Sequence, residues 1–191
     1  KEENRKIHQD LTFYYSYIGW FIIVGLSFFS DTIISIVANK EYLAAAWLIP
    51  WVSLAYFVGG FKIFFLASAT LADRTDLLVK TGLLAIITNV CLNYFFIKNY
   101  GVEGAVLSTI LSNLILILLL LNFTKSVNQF SWPMKKIVHG AIIASLIIII
   151  FKTIQEFAID YIFVVKCLLL IMFPILSLFT KLIGEKEING V

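Results

Sequence analysis

Residues 141–151 are AIIASLIIIIF and residues 114–121 are LILILLLL, and neither stretch contains a charged side chain. Across all 191 residues, 60% are hydrophobic and 14% are charged, and the mean hydropathy is +0.93. Soluble domains carry about 25% charged residues, and a short chain cannot bury this much apolar surface in one core. Hydrocarbon is therefore the predicted solvent, and the sequence predicts an integral membrane protein.

Six segments are long and apolar enough to cross a bilayer, which needs about 20 residues in a helix. The apolar runs do not alternate with polar residues as barrel strands do, so their backbone groups find partners in lipid only within helices. The predicted helices are residues 11–38, 42–71, 77–96, 102–123, 137–151 and 157–183. Pro50 and Gly59-Gly60 interrupt the second, and Pro174 lies in the sixth. The predicted fold class is an all-α, polytopic transmembrane bundle of about six helices, forming a single transmembrane domain over residues 1–191.

The connection between the third and fourth helices has a distinctive glycine pattern. Residues 98–101 predict a tight turn, because Gly101 can adopt a left-handed backbone conformation at little cost. Gly104 and Ala105 follow in the next helix, where small side chains let neighbouring helices approach closely. The sequence therefore predicts a closely packed pair of helices on either side of Gly101.

Lys and Arg residues predict the orientation of the chain. Connections on the side of the amino terminus hold most of them, whereas Lys40, Lys98 and Lys152 fall on the opposite side. Cytoplasmic loops of membrane proteins carry the excess of Lys and Arg. We therefore predict that both termini of this chain are cytoplasmic.

The sequence contains no recognisable catalytic constellation. It has no cluster of His, Cys and carboxylate residues, no Gly-rich phosphate loop and no nucleophile elbow. We therefore predict that the protein is not an enzyme and that it uses no cofactor and no metal. The net charge of +3 comes mainly from the connections, so membrane lipid is an expected partner and nucleic acid is not.

Polar side chains inside the predicted spans are the candidate functional residues, because such groups are expensive in lipid and often mark a transport path. Lys62 follows Gly59-Gly60 and either faces a cavity that admits an anionic head group or snorkels to the cytoplasmic surface. Asn89 and Asn93 share one helix face. Their amides, with Asn113 in the next helix, predict hydrogen bonds between helices or, alternatively, contacts with sugar hydroxyls.

Two further ionisable residues lie in the first and last predicted helices. Asp31 has two interpretations, either as the cap of a restarted helix or as a carboxylate that titrates during transport. Lys166 lies toward the outer half of the last helix, where the long side chain is expected to snorkel outward. Both residues are therefore candidates for a coupling role or a structural role.

Residues 93–109, NYFFIKNYGVEGAVLST, resemble a pattern that recurs in polysaccharide flippases. In that pattern an Asn-aromatic end of a span precedes an aromatic-Gly turn, which Gly-Ala and a Ser/Thr-rich helix follow. Residues 28–34, FFSDTII, and residues 41–46, EYLAAA, look like the start of the second half of these proteins. They belong to the multidrug/oligosaccharidyl-lipid/polysaccharide exporter superfamily. One departure is Lys98, which stands where the family often has proline.

The resemblance implies that this chain is the C-terminal half, the second of two bundles, of an O-antigen or polysaccharide flippase in the bacterial inner membrane. Such a flippase moves undecaprenyl-diphosphate-linked oligosaccharides to the periplasmic leaflet by alternating access coupled to an ion gradient, and polysaccharide polymerases are expected partners. Lys62 would attract the diphosphate, Asn89 and Asn93 would contact sugars, and Asp31 would be a coupling carboxylate.

Two other functions stay open at the level of the sequence. One is a multidrug or small-solute antiporter of the same superfamily, and the other is a non-transporting membrane scaffold of a glycan-assembly complex. A membrane-embedded acyl or glycosyl transferase is disfavoured because the sequence shows no catalytic constellation.

Overall fold

The structure is a computed structural model that describes residues 2–71, 73–124, 132–156 and 161–180. Within these ranges every regular element is a helix and none is a strand, so the predicted all-α class is confirmed. The elements are α1 (Glu2–Val37), a 3₁₀ segment (Lys40–Leu48), α2 (Ile49–Gly60), α3 (Lys62–Leu71), α4 (Thr75–Thr124), α5 (Met134–Gln155) and α6 (Ile162–Phe179).

Five stretches of the described chain are long and apolar enough to cross a membrane, namely Lys6–Val37, Glu41–Ala67, Val79–Asn122, Met134–Gln155 and Ile162–Phe179. Only 17% to 28% of the residues in their most apolar windows are buried within the protein. The other apolar side chains therefore need hydrocarbon around them, since soluble monomers rarely expose large apolar patches. The chain is a multi-pass membrane protein.

The third stretch folds back on itself at Gly101. Its 44 residues would measure about 66 Å as one straight helix, roughly twice the hydrocarbon thickness of a bilayer. Gly101 has φ 58° and ψ −133°, which divides α4 into a first arm (75–100) and a second arm (102–124). Asn93 hydrogen-bonds Ser108 across the turn, so the arms are antiparallel. The predicted turn is confirmed, and the five stretches correspond to the six predicted helices.

Gly104 lies where the second arm comes closest to the first. A Cβ atom added at this position would overlap the carbonyl group of Phe96 in the first arm. Only a residue without a side chain leaves room for this contact, so the predicted close approach at Gly104 is confirmed.

Several helix ends differ from the predicted ends. α1 begins at Glu2, because its first residues, although polar, include no helix breaker. α5 extends beyond 137–151 at both ends. The predicted sixth helix begins and ends outside the described residues, and α6 occupies its middle.

The second predicted helix consists of three pieces. The 3₁₀ segment leads into α2, and α2 is separated from α3 at Phe61. Pro50 is the second residue of α2, a position in the first turn where proline is tolerated. The interruptions therefore fall within two residues of those predicted from Pro50 and Gly59-Gly60.

The described residues form two compact units, and each is described by itself. Unit 1 comprises Lys1–Thr12 and Trp51–Trp132. Within it α3 packs against α4, where Phe65 is buried with Leu116 and Leu120 of the second arm. Apolar packing thus attaches the short helix α3 to the α4 hairpin.

Unit 2 comprises Phe13–Pro50 and Pro133–Val191, and its core lies among α1, α5 and α6. The rings of Phe28 and Phe151 have centroids 4.4 Å apart and join α1 to α5. The buried core residues are Phe13, Val24, Phe28, Ile143, Ala144, Ile147, Phe151, Leu169 and Phe173. Aromatic and branched side chains from three helices therefore hold unit 2 together.

Candidate functional site

Four polar side chains form a ladder between the two arms of α4. Asn89 Nδ2 donates to Ser112 Oγ at 3.0 Å, and Ser108 Oγ donates to Asn93 Oδ1 at 2.5 Å. Along the first arm, Asn93 Nδ2 donates to Asn89 Oδ1 at 2.8 Å. Ser108 and Ser112 are buried, and the two asparagines are half-buried. We call these four residues the polar ladder.

The polar ladder confirms the predicted hydrogen bonds between helices. Each asparagine uses its oxygen as an acceptor and one N–H as a donor, which leaves a second amide N–H on each. The serine hydroxyls also donate to backbone carbonyls of their own arm, Ser108 to Ala105 and Ser112 to Thr109. Contact between the remaining amide groups and sugar hydroxyls stays a prediction.

Asn113 joins the second arm of α4 to α2. Its Nδ2 donates to the carbonyl oxygen of Ala55 at 2.8 Å. A Cβ atom added at Gly59 would lie 2.8 Å from the same nitrogen, so the missing side chain at Gly59 makes room for the amide. The third asparagine therefore also bonds to a neighbouring helix, but through a backbone carbonyl.

Lys62 is the first residue of α3, directly after the break in the helix at Phe61. At this break Phe61 N–H donates to Val58 O and Phe64 N–H donates to Phe61 O, both at 3.2 Å. The Phe61 ring is buried, whereas the Lys62 side chain is exposed. Among the described residues, no hydrogen bond or ion pair joins Lys62 to the polar ladder. A cavity around Lys62 stays a prediction.

Most of the Lys166 side chain lies inside unit 2. Its side chain is 9% exposed, and Nζ lies 5.6 Å from the ring centroid of Phe29 and 5.7 Å from that of Phe151. Rings from α1 and α5 therefore enclose most of the side chain, and outward snorkelling of its ammonium group stays a prediction.

Asp31 lies in the interior of α1, which continues without interruption to Val37. The interpretation of Asp31 as the cap of a restarted helix is therefore wrong. Its side chain is exposed, and no ion pair joins it to Lys166 within the described parts of the chain. A coupling role for Asp31 stays a prediction.

An aromatic cluster around His8 in unit 1 was not predicted from the sequence. His8 Nε2 lies 3.3 Å from the carbonyl oxygen of Phe64. The His8 ring meets Phe64 and Trp132 edge-on, with centroids 5.7 and 5.6 Å away, and Trp132 stacks on Phe65 at 4.2 Å. These residues come from distant parts of the chain, so no local spacing brings them together in the sequence.

Two ion pairs lie at the start of α4. Arg74 Nε and Asp76 Oδ1 are 2.9 Å apart, and Lys80 Nζ lies 3.7 Å from Asp76 Oδ2. Hydrogen bonding to Asp76, together with its charge, raises the pKa of the Arg74 guanidinium. In the described part of the chain, no group of three or more His, Cys, Asp or Glu side chains is placed to hold a metal ion.

No family model, no curated protein and no solved structure matches this chain. The resemblance of residues 93–109 to polysaccharide flippases therefore stays a prediction from the sequence.

Proposed function

We propose that this chain is the second bundle of a flippase that moves polyprenyl-diphosphate-linked oligosaccharides across a bacterial inner membrane by alternating access. The proposal depends mainly on the α4 hairpin. Residues 93–109 carry the flippase-like pattern, and two of its glycines have backbone roles that other residues cannot fill. Gly101 has a positive φ, and Gly104 has no space for a Cβ atom.

The chemistry of the substrate explains why polar groups within the spans are useful. A diphosphate and a glycan lose their hydration in hydrocarbon at a prohibitive cost. Cationic and amide groups along the path would replace that water. In unit 1 the exposed Lys62 supplies a positive charge, and Asn89 and Asn93 each retain an amide N–H for a sugar oxygen.

The break at Phe61 supports the transport hypothesis as well. Discontinuous helices are common at the binding sites of secondary transporters, because freed backbone groups and altered helix directions build the site. Lys62 begins the helix that follows this break. A substrate diphosphate at Lys62 would therefore also meet the positive end of the α3 dipole.

Replacement of Lys62 by alanine in the protein that carries this chain tests the proposal. We expect surface polysaccharide to be lost while the amount of protein in the membrane fraction is unchanged, because an anion-binding charge is removed from an exposed position. The matched control is Lys152→Ala, which removes another exposed lysine at the end of α5. Unchanged export in the Lys62→Ala strain would exclude this residue from the substrate path.

The two alternatives differ from the proposal in what deletion of the gene would change. An antiporter predicts greater sensitivity to drugs with intact surface polysaccharide. A scaffold predicts that the protein co-purifies with polymerases or transferases and that it does not flip a lipid-linked oligosaccharide in liposomes.

A further inference from the structure

The last turns of α1 extend beyond the length that a membrane crossing needs. Between Asp10 and Asp31, residues 11–30 contain no charged side chain. As a helix they would measure about 30 Å, which is the thickness of the hydrocarbon layer. Asp31 is exposed, and α1 continues after it to Val37. A carboxylate is costly in hydrocarbon, so we expect α1 to leave the hydrocarbon layer at about Asp31.

The next crossing does not need the 3₁₀ segment (Lys40–Leu48). Residues 49–71 comprise α2, Phe61 and α3, and along their helices they would measure about 35 Å. This length already crosses the hydrocarbon layer. The 3₁₀ segment would add about 18 Å at its larger rise per residue, and the two lengths together exceed the about 40–45 Å of a bilayer with its head groups. The 3₁₀ segment therefore lies at the end of this crossing, toward the membrane surface.

The side chains of the connection between the two crossings, residues 31–48, suit neither pure water nor pure hydrocarbon. The connection exposes polar side chains, namely those of Asp31, Thr32, Ser35, Asn39 and Glu41. It also exposes large apolar and aromatic side chains, namely those of Ile36, Val37, Tyr42, Leu43 and Trp47. Tyrosine and tryptophan combine an apolar ring with a polar tip and are enriched at the boundary between membrane and water. This mixture is typical of a surface in the head-group layer.

We infer that residues 31–48 form a membrane-surface anchor, which binds the head-group layer of the bilayer through the exposed rings of Tyr42 and Trp47. Tyr42 is 59% exposed and Trp47 is 50% exposed, whereas Ala46 between them is 1% exposed. The 3₁₀ segment therefore has one side packed within the protein and another side on which both rings are accessible.

The chemistry of the two rings fits lipid better than a second protein. Their apolar parts would contact the upper ends of the lipid chains, and the Tyr42 O–H and Trp47 N–H groups would donate to phosphate or carbonyl oxygens of the lipids. Lipid surrounds both crossings that the anchor connects, so these contacts need no further partner. The anchor does not depend on the proposed transport.

Spin labels in vesicles of phosphatidylglycerol and phosphatidylethanolamine measure the depth of the anchor. A single cysteine would replace Val37, Ala44 or Ile22, all of which are exposed, in the full protein without its other cysteines. Oxygen concentrates in hydrocarbon and a nickel chelate stays in water, so the accessibility of each label to the two reagents gives its depth. We expect the labels at Val37 and Ala44 in the head-group layer, about 14 Å closer to water than the label at Ile22, which lies nine residues before Asp31.

Replacement of both rings tests their part in the anchor. Tyr42→Ala combined with Trp47→Ala should move the Ala44 label toward water. Tyr161→Ala removes another exposed ring and should leave that label at its original depth.

Three results would overturn the inference, and the first two are measured with both rings in place. An Ala44 label as deep as the Ile22 label would mean that the 3₁₀ segment lies in hydrocarbon. An Ala44 label that only the chelate reaches would mean that the segment stands in water, where a protein partner could bind it instead. An Ala44 label that keeps its depth when both rings are replaced would remove Tyr42 and Trp47 from the anchor.

Discussion

Gly104 determines how closely the two arms of α4 pack. We predict that Gly104→Ala lowers the free energy of unfolding by about 1–3 kcal/mol, the usual range for overpacking a tight contact. The added methyl group would overlap the Phe96 carbonyl, and because this is backbone, the arms themselves would have to separate. Thermal unfolding in detergent micelles measures the effect.

Gly82→Ala is the matched control for this substitution. Gly82 lies in the first arm of the same hairpin, and a Cβ atom added there meets nothing within 4 Å. Alanine favours a helix over glycine by up to about 1 kcal/mol, so this variant should be unchanged or more stable. Equal melting temperatures for the two variants would contradict the close contact at Gly104.

The sequence predicts single residues well where the backbone alone determines their role. Gly101 and Gly104 are such cases, because a turn or a close approach restricts a position to glycine. Lys166 is the opposite case. Its burial depends on Phe29 of α1 and Phe151 of α5, which belong to other helices. No spacing within α6 could reveal these rings, so the sequence did not predict how much of the side chain they enclose.

At the scale of helices, the polar ladder links the arms of α4 by pairs of side chains. We predict that a double-mutant cycle of Asn93→Ala and Ser108→Ala gives a coupling energy of about 0.6 kcal/mol, and at most about 1.7 kcal/mol, as for other hydrogen bonds between membrane helices. The two side chains bond directly across the arms. Unfolding of the four variants in mixed micelles measures this coupling.

A double-mutant cycle with Asn99 in place of Asn93 is the control. The Asn99 amide donates to the Phe95 carbonyl in its own arm and is exposed. Asn99→Ala combined with Ser108→Ala should therefore be additive. Coupling of similar size in both cycles would mean that the substitutions act on the hairpin as a whole and not through the Asn93–Ser108 hydrogen bond.

The contact between α2 and α4 gives a second prediction for helices. Gly59→Ala should displace the Asn113 amide and so remove its hydrogen bond to Ala55, with a loss of about 0.5–1.5 kcal/mol. Asn113→Ala removes the same hydrogen bond and also the amide group with which the new methyl group at position 59 would collide. We therefore expect the double variant to be no less stable than Gly59→Ala alone, and additive losses measured by thermal unfolding would contradict this contact.

The sequence predicts that a helix exists better than it predicts where the helix begins and ends. The apolar part of a span sets its position in lipid, but the helix can continue beyond that part. The predicted first helix starts at Leu11, whereas α1 begins nine residues earlier, at Glu2. The division between α2 and α3 was predictable from Gly59-Gly60. The contact that Asn113 makes across to Ala55 was not, since a side chain bonding a carbonyl 58 residues away leaves no local pattern.

As a whole, the molecule has the composition of a protein that crosses a membrane several times, with each arm of α4 forming one crossing. Apolar side chains remain exposed along all five candidate stretches. Exposure of such an apolar surface to water is unfavourable, whereas hydrocarbon chains of lipid can surround it without a change in the fold. The turn at Gly101 then places the two ends of α4 on one side of the bilayer and the turn on the other.

Single cysteines at the two ends of the first arm test whether this arm crosses the membrane. Asp76→Cys and Lys98→Cys would each be introduced into a chain whose own Cys91 and Cys167 are replaced by alanine. A membrane-impermeant maleimide would then be added to sealed vesicles of one orientation. We predict that one cysteine is labelled from outside and the other only after the vesicles are opened. Labelling of both from the same side would show that the first arm does not cross the membrane.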